Sequence, residues 1–392
     1  MVGPAGTKGN GSGALSQERY IGADLVRIFA ALLVVAFHLG FWSWANERST
    51  PGSILQRRAE FPEVAQLTHF GWVGVEVFFM LSGFVIAFTA RSSTALSFLY
   101  RRFLRLFPGA VICATITLAV ALAIGWREPA DLLDRYLRSA SLWPYGPWID
   151  GVYWTLGVEI AFYTLVFMLL AIGQLRRLEL IMIGVGTITS LIWIVFALYH
   201  GRPSNPFRGL ISSRDAQLLL LHHGMFFSVG VVIWNAIAGR FTWWRIVAVT
   251  ICSIGGCVVI YPTATRDLGL ELWEQASIAV WLISVLLLIA AVRFDAALSR
   301  YLGPISRQIK TGSLATYPLY LLHTVVGAAM IRVLLDAGLP RYFALAFVLI
   351  AVLLLSVAVT KWLERKLRTF LSRLLQHRAP AGEPKRDMGA PG

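Results

Sequence analysis

An arginine and a histidine eleven positions apart in an otherwise apolar run are the first residues that point to chemistry. The run reads Ala23-Asp24-Leu25-Val26-Arg27, then Ile28 to Phe37, then His38. At about 100° per residue, eleven positions return to within about 20° on a helix, so both side chains share a face about 16 Å apart along the axis. Asp24 sits one turn before Arg27, on nearly the same face. A guanidinium binds phosphate in bidentate fashion, and an imidazole with a near-neutral pKa can take a proton from a hydroxyl. Arg27 alone would be compatible with snorkelling from a helix end; the pair on one face favours function.

Other ionisable residues interrupt apolar runs in the same way. Glu76 lies in Gly74-Val75-Glu76-Val77-Phe78-Phe79-Met80-Leu81-Ser82-Gly83-Phe84, where Ser82-Gly83 suits close helix packing better than a serine nucleophile. Tyr100-Arg101-Arg102-Phe103-Leu104-Arg105-Leu106-Phe107-Pro108 is a basic cluster that can anchor a helix end and also hold phosphate. Glu159 lies in Trp154-Thr155-Leu156-Gly157-Val158-Glu159-Ile160-Ala161-Phe162-Tyr163, after the aromatic turn Trp143-Pro144-Tyr145-Gly146-Pro147-Trp148. Tyr317-Pro318-Leu319-Tyr320-Leu321-Leu322-His323 predicts a proline-kinked start to a helix with a histidine at mid-depth, and Arg332 follows nine residues later. His222-His223 fit either a site or the membrane interface, whereas His69, His200 and His377 read as background. Cys113, Cys252 and Cys257 form neither a metal spacing nor a disulfide framework, and no metal is expected.

The elements that must position these residues are membrane helices. The chain has 392 residues, 57% hydrophobic and 14% charged, with a mean hydropathy of +0.67. A soluble chain of this size could not bury that much apolar surface. Apolar runs at about 22–44, 71–90, 107–125, 153–173, 178–199, 217–239, 244–261, 273–292, 314–335 and 341–361 predict ten crossings. The fold class is therefore all-α: about ten transmembrane helices around a polar cavity. A disordered tail over 1–20, a membrane domain over 21–362 and a basic tail over 363–392 are expected. No internal repeat is evident, which argues against a transporter built from inverted halves.

The net charge of +14 would suggest nucleic acid in a soluble protein, but here it sets topology, and no nucleic-acid partner is expected. Of 35 basic residues, 22 fall in one set of alternate loops and 11 in the other, leaving Arg27 and Arg332 inside helices. The positive-inside rule then puts both termini in the cytoplasm, with the 200–216 loop and its three arginines fitting worst. Arg27 and the 101–105 cluster lie toward the inner side. His38, Glu76, Trp154 and His222-His223 lie toward the outer side, and Glu159 lies two turns in from it.

Taken in order, Arg27-x10-His38, Gly74 to Phe84, Arg101-Arg102-x2-Arg105-x2-Pro108, Trp154-Thr155-Leu156-x2-Glu159-x2-Phe162-Tyr163 and Tyr317-Pro318-x-Tyr320-Leu321-x-His323 resemble the acyltransferase-3 family of membrane O-acyltransferases. Some members add an SGNH hydrolase-like domain; the resemblance here is to the single-domain form. It implies transfer of an acyl group, commonly acetyl from acetyl-coenzyme A, to a hydroxyl of a carbohydrate or sugar-bearing acceptor. Family acceptors include cell-surface polysaccharides, oligosaccharide signals and glycosylated macrolides. The expected location is the inner membrane of the cell.

Combined with that resemblance, the spacing assigns roles. Arg27, Arg101, Arg102 and Arg105 would hold the phosphates of acyl-coenzyme A, and its arm would carry the thioester toward His38. His38 would be the general base, with Glu76 or Glu159 orienting its ring. An acyl-histidine intermediate is a variant of the same scheme. Trp154, Tyr163, His323 and Arg332 are expected at the acceptor. Two other classes compete: a transporter of lipid-linked sugars that binds without chemistry, and a scaffold whose polar residues only knit the bundle.

Overall fold

A computed structural model describes residues 20–198, 213–239, 242–264 and 274–376, and every regular element among them is helical. The expected tail over 1–20 lies outside the described residues apart from Tyr20, as do His200, His377 and the end of the basic tail. Eleven helices build the membrane body: α1 Ile21–Phe37, α2 Gly74–Ala90, α3 Ala95–Ala123, α4 Trp154–Ala171, α5 Leu178–Leu198, α6 Gly224–Ala238, α7 Trp243–Pro262, α8 Glu274–Arg293, α9 Ser306–Leu322, α10 Val325–Asp336 and α11 Arg341–Ala358. A last helix, α12 Arg365–Gln376, continues α11 through a widened turn at Val359–Glu364.

Among the described residues, eight helices are long and apolar enough to cross a bilayer. A ninth crossing forms if the segment Asp295–Leu322 and α10, bent by 69°, count as one. The remaining apolar run, expected over 217–239, is a continuous helix only from Gly224, for 15 residues. At 1.5 Å per residue that spans about 22 Å, short of the roughly 30 Å hydrocarbon layer. The chain turns at Leu220, whose φ is +61°, and the Leu221 amide bonds back to the Ala216 carbonyl at 2.8 Å. Together these elements make an integral membrane protein.

The ninth run also differs from expectation. Pro318 lies inside α9, and the break falls beyond it, at His323-Thr324. What stabilises the break is a buried acceptor. Asp150, from the loop before α4, accepts hydrogen bonds from the Thr324 hydroxyl and, at 3.2 Å, from the Val325 amide. It thereby satisfies donors that a new helix start leaves unpaired.

In lipid, apolar burial does not drive helices together, so close packing of small residues must. Gly83 of α2 lies directly against the Phe227 carbonyl of α6, and Gly230 of α6 against the Met80 carbonyl of α2. A methyl group at either position would meet backbone. Nearly all of α6 is buried, whereas Ile188, Leu191, Leu286, Phe347 and Leu354 on the outer helices face outward. That inside-out distribution is what a lipid-facing surface requires.

Candidate active site

Among the described residues the helices line at least two cavities with polar walls, termed inner and outer after the sides that the charge rule predicts. The inner cavity, of about 180 Å³, is built by α1, α2, α3, α4 and α9, and its charged lining is Arg27, Arg102, Arg105 and Glu159. Arg27 stands over Asp24, with Nη1 3.8 Å from the carboxylate and 3.4 Å from Ser313 Oγ, and Ser313 donates to Asp24 at 2.5 Å. Arg102 and Arg105 are three residues apart on α3 and so face the same way. Arg102 reaches Thr89 Oγ1 at 3.0 Å and lies over the rings of Phe98 and Tyr163; Arg105 lies over Tyr317. Arg102 Nε and Arg105 Nη1 are buried donors with no hydrogen-bond acceptor. An anion is what such a donor set fits.

Arg101 does not join this set. One residue round the helix, its guanidinium is exposed and bonds to Ser93. Glu159 accepts from Ser82 Oγ at 2.9 Å and from the Tyr163 hydroxyl. Glu159 and Tyr163 therefore belong to the arginine cavity, and Ser82 serves as a donor to Glu159 while Gly83 makes the close packing contact. Glu364, buried at the start of the C-terminal extension, lies 3.9 Å from Arg105 and also pairs with Arg368.

The outer cavity, of about 460 Å³, is lined by His38, Glu76, His222, His223 and Asp150, with Trp42, Trp72 and Trp154. His38 sits where α1 widens into a π turn over His38–Trp42, a device that often reshapes a helix at a functional site. Glu76 Oε2 lies 3.7 Å from His223 Nδ1. Neither that oxygen nor either ring nitrogen of His223 has a hydrogen-bond partner. Two polar side chains, each more than nine-tenths buried, thus face a cavity with their bonding capacity unfilled. Asp150 immediately precedes the membrane-spanning segment Gly151–Ala171 in the chain. Burial raises its pKa to about 6, against the opposing effect of its three hydrogen bonds.

Val75 and Tyr320 line both cavities, so a single layer of side chains separates them. Arg27 of α1 and His38, the residue that follows its last turn, open into different cavities. The ring nitrogen His38 Nδ1 lies 2.9 Å from the Val34 carbonyl and 3.1 Å from Nε2 of His323. No carboxylate is among the hydrogen-bond partners of His38 in the described residues. His323 is fully buried behind it and does not line the cavity. Arg332 lines neither cavity and is 3.8 Å from Asp336 on the same helix.

Asp150 and Tyr320 are among the positions that sequence reasoning passed over. Asp150 preceding a glycine carried a helix-capping signal, but nothing linked it to Thr324, 174 residues away. Tyr320 stood in the quoted motif without a role. Arg214, in the loop that fitted the charge rule worst, bonds to the Pro144 and Trp154 carbonyls at 2.7 and 2.8 Å. It pins the aromatic turn over the start of α4.

The chain is similar to known proteins over much of this framework. It is 27% identical over 252 residues to nodulation protein 10 of Rhizobium leguminosarum bv. viciae, covering 56% of this chain and 63% of that protein. It is 29% identical over 150 residues to acyltransferase MdmB of Streptomyces mycarofaciens, covering 35% and 36%. The chain thus spans less than two thirds of the length of either relative. No solved structure matches it. The acyltransferase-3 family model, described as an acyltransferase domain, matches residues 20–361, which include both cavities and every helix from α1 to α11. The chain belongs to the acyltransferase-3 family.

Proposed function

We propose that this protein moves an acyl group, acetyl in the simplest case, from acyl-coenzyme A to a hydroxyl of a carbohydrate or other sugar-bearing acceptor. It does so in the inner membrane, with both termini cytoplasmic. The observation that carries this reading is the pair of cavities that meet at Val75 and Tyr320, one presenting unpartnered arginine donors and the other presenting His38.

Arg27, Arg102 and Arg105 supply charge and directed donors for a phosphate of the donor. A volume of about 180 Å³ takes one segment of a coenzyme molecule, with the remainder outside. The outer cavity suits a polyhydroxylated acceptor. Glu76 is a ready hydrogen-bond partner for hydroxyl groups, and Trp42, Trp72 and Trp154 offer flat faces against which a sugar ring packs. His38 takes the proton from the acceptor hydroxyl as its oxygen bonds to the thioester carbonyl carbon. The carbon–sulfur bond then breaks, and the departing thiolate recovers a proton from the imidazolium.

Purified protein in lipid vesicles, given labelled acetyl-coenzyme A and glycans from cells that lack it, should form an acyl ester that His38→Ala abolishes. Comparing acyl esters from cells with and without the protein would name the acceptor, polymer or glycosylated metabolite. Unchanged transfer by His38→Ala would overturn the role of His38. No turnover with any acyl-coenzyme A and no change in any ester would favour a binding or transport protein.

A further inference from the structure

The two imidazoles, His38 at the outer cavity and His323 behind it, admit one arrangement of protons when both rings are neutral. His323 Nδ1 faces two carbonyl oxygens, those of Tyr320 at 2.8 Å and Leu319 at 3.2 Å. Carbonyls only accept, so this nitrogen carries the hydrogen, and a neutral ring then leaves Nε2 bare. That bare nitrogen lies 3.1 Å from His38 Nδ1, which itself faces the Val34 carbonyl at 2.9 Å. His38 Nδ1 must therefore carry its hydrogen too, shared between Val34 and His323. The bare nitrogen of His38 is Nε2, on a ring that lines the outer cavity. The opposite tautomer of either ring would aim a lone pair at a carbonyl oxygen.

We propose that His323 is the positioning residue of this site. It holds His38 in the tautomer and orientation that present Nε2 to the acceptor. This inference rests on the reading of His38 as the base. The acceptor for Nδ1–H, a carboxylate in serine-hydrolase triads, is here a second neutral imidazole. When His38 takes the hydroxyl proton on Nε2, the ring becomes an imidazolium and its bond to His323 becomes charge-assisted, hence stronger. The acyl carbon–oxygen bond forms, the carbon–sulfur bond breaks, and the thiolate takes back the proton; His323 neither gains nor loses one. The support behind it is rigid. His323 is fully buried, its ring lies 4.9 Å from that of His38, and the next two residues are tied to Asp150. Neither Glu76 nor Glu159 has this contact. One faces His223 and the other Ser82 and Tyr163.

The test compares His323→Leu, which fills the space without an acceptor, with His323→Gln, whose Oε1 can reach the place of Nε2. With folding verified by melting temperature, His323→Leu should lose 100-fold or more in kcat with KM for acetyl-coenzyme A unchanged. His323→Gln should recover to within tenfold of the parent. In protein carrying 15N-histidine, solid-state NMR should show His38 and His323 both protonated at Nδ1 and bare at Nε2, the two being assigned from the His38→Ala and His323→Leu variants. Retained kcat in His323→Leu, equal losses in both variants, or an Nε2–H tautomer at either ring would overturn the proposal. Loss of activity in His38→Ala beside full activity in His323→Leu would sink this inference alone. Full activity in His38→Ala would sink the function on which it rests.

Discussion

Three guanidinium groups around one cavity repel one another, and a low-dielectric surrounding makes that repulsion larger than in water. Asp24 beside Arg27, Glu159 across the cavity and Glu364 behind Arg105 offset it without saturating the donors of Arg102 and Arg105. A site that keeps charged donors unpaired has them available for an incoming anion. Each charge-assisted contact to a donor phosphate contributes about 1.5–3 kcal/mol. Arg102→Ala and Arg105→Ala should therefore each raise KM for the acyl donor by about tenfold or more, whereas Arg101→Ala, on the exposed face, should change it less than about twofold. Steady-state kinetics on the three variants decides this; equal effects for all three would remove the distinction the cavity draws.

Among the elements, α2 and α6 make the closest approach and the break between α9 and α10 is the sharpest departure from a simple span. Backbone carbonyls oppose Gly83 and Gly230, and backbone yields poorly, so Gly83→Ala and Gly230→Ala should each cost about 1–3 kcal/mol. Gly184, in α5 with open space around it, is the control, where alanine should be neutral or slightly stabilising. Thermal unfolding in detergent reads all three. At the break, Asp150 has a pKa of about 6 against an ordinary value of 3.8. A pKa raised by folding contributes stability that is full below the ordinary value and is lost as pH rises through about 6. The melting temperature should thus fall between pH 4 and pH 7 by an amount that Asp150→Asn removes. Equal slopes in both proteins would show that burial of this carboxyl has no such cost.

Across the whole molecule, interactions between distant segments respect the alternation of loops. Arg245 pairs with Glu179 at 2.7 Å, joining the starts of α5 and α7, and the Gly22 amide bonds to Asp295. On the opposite side Arg58 pairs with Asp336 at 2.8 Å and Arg341 with Glu63 at 3.1 Å. Each of these contacts joins segments that the alternation of loops expected from the sequence puts on the same side. The charge rule applied to the sequence predicts that the side of Arg245 and Asp295 is cytoplasmic. Cysteines introduced at Ser141 and Gln308, both exposed, should react with an impermeant maleimide from opposite faces, Ser141→Cys from outside. Labelling of both from one face would overturn the topology.

The ten apolar runs, the alternation of charge and the unusual residues within helices were legible in the sequence, because a bilayer imposes composition on every segment that crosses it. Helical periodicity also put Arg27 and the residues up to Phe37 in one helix, since that depends only on local geometry. What periodicity could not supply was the relation between helices. Arg101 and Arg102 are neighbours in sequence but face different surroundings, and Trp154 and Tyr163 of one helix open into different cavities. The expected partner of His38 was a carboxylate, whereas the tertiary structure brings His323 to it from 285 residues away. The break in α9–α10 likewise depends on Asp150 of a distant loop rather than on Pro318. Such pairings are decided by which helices pack side by side, and close packing of small residues sets that in lipid.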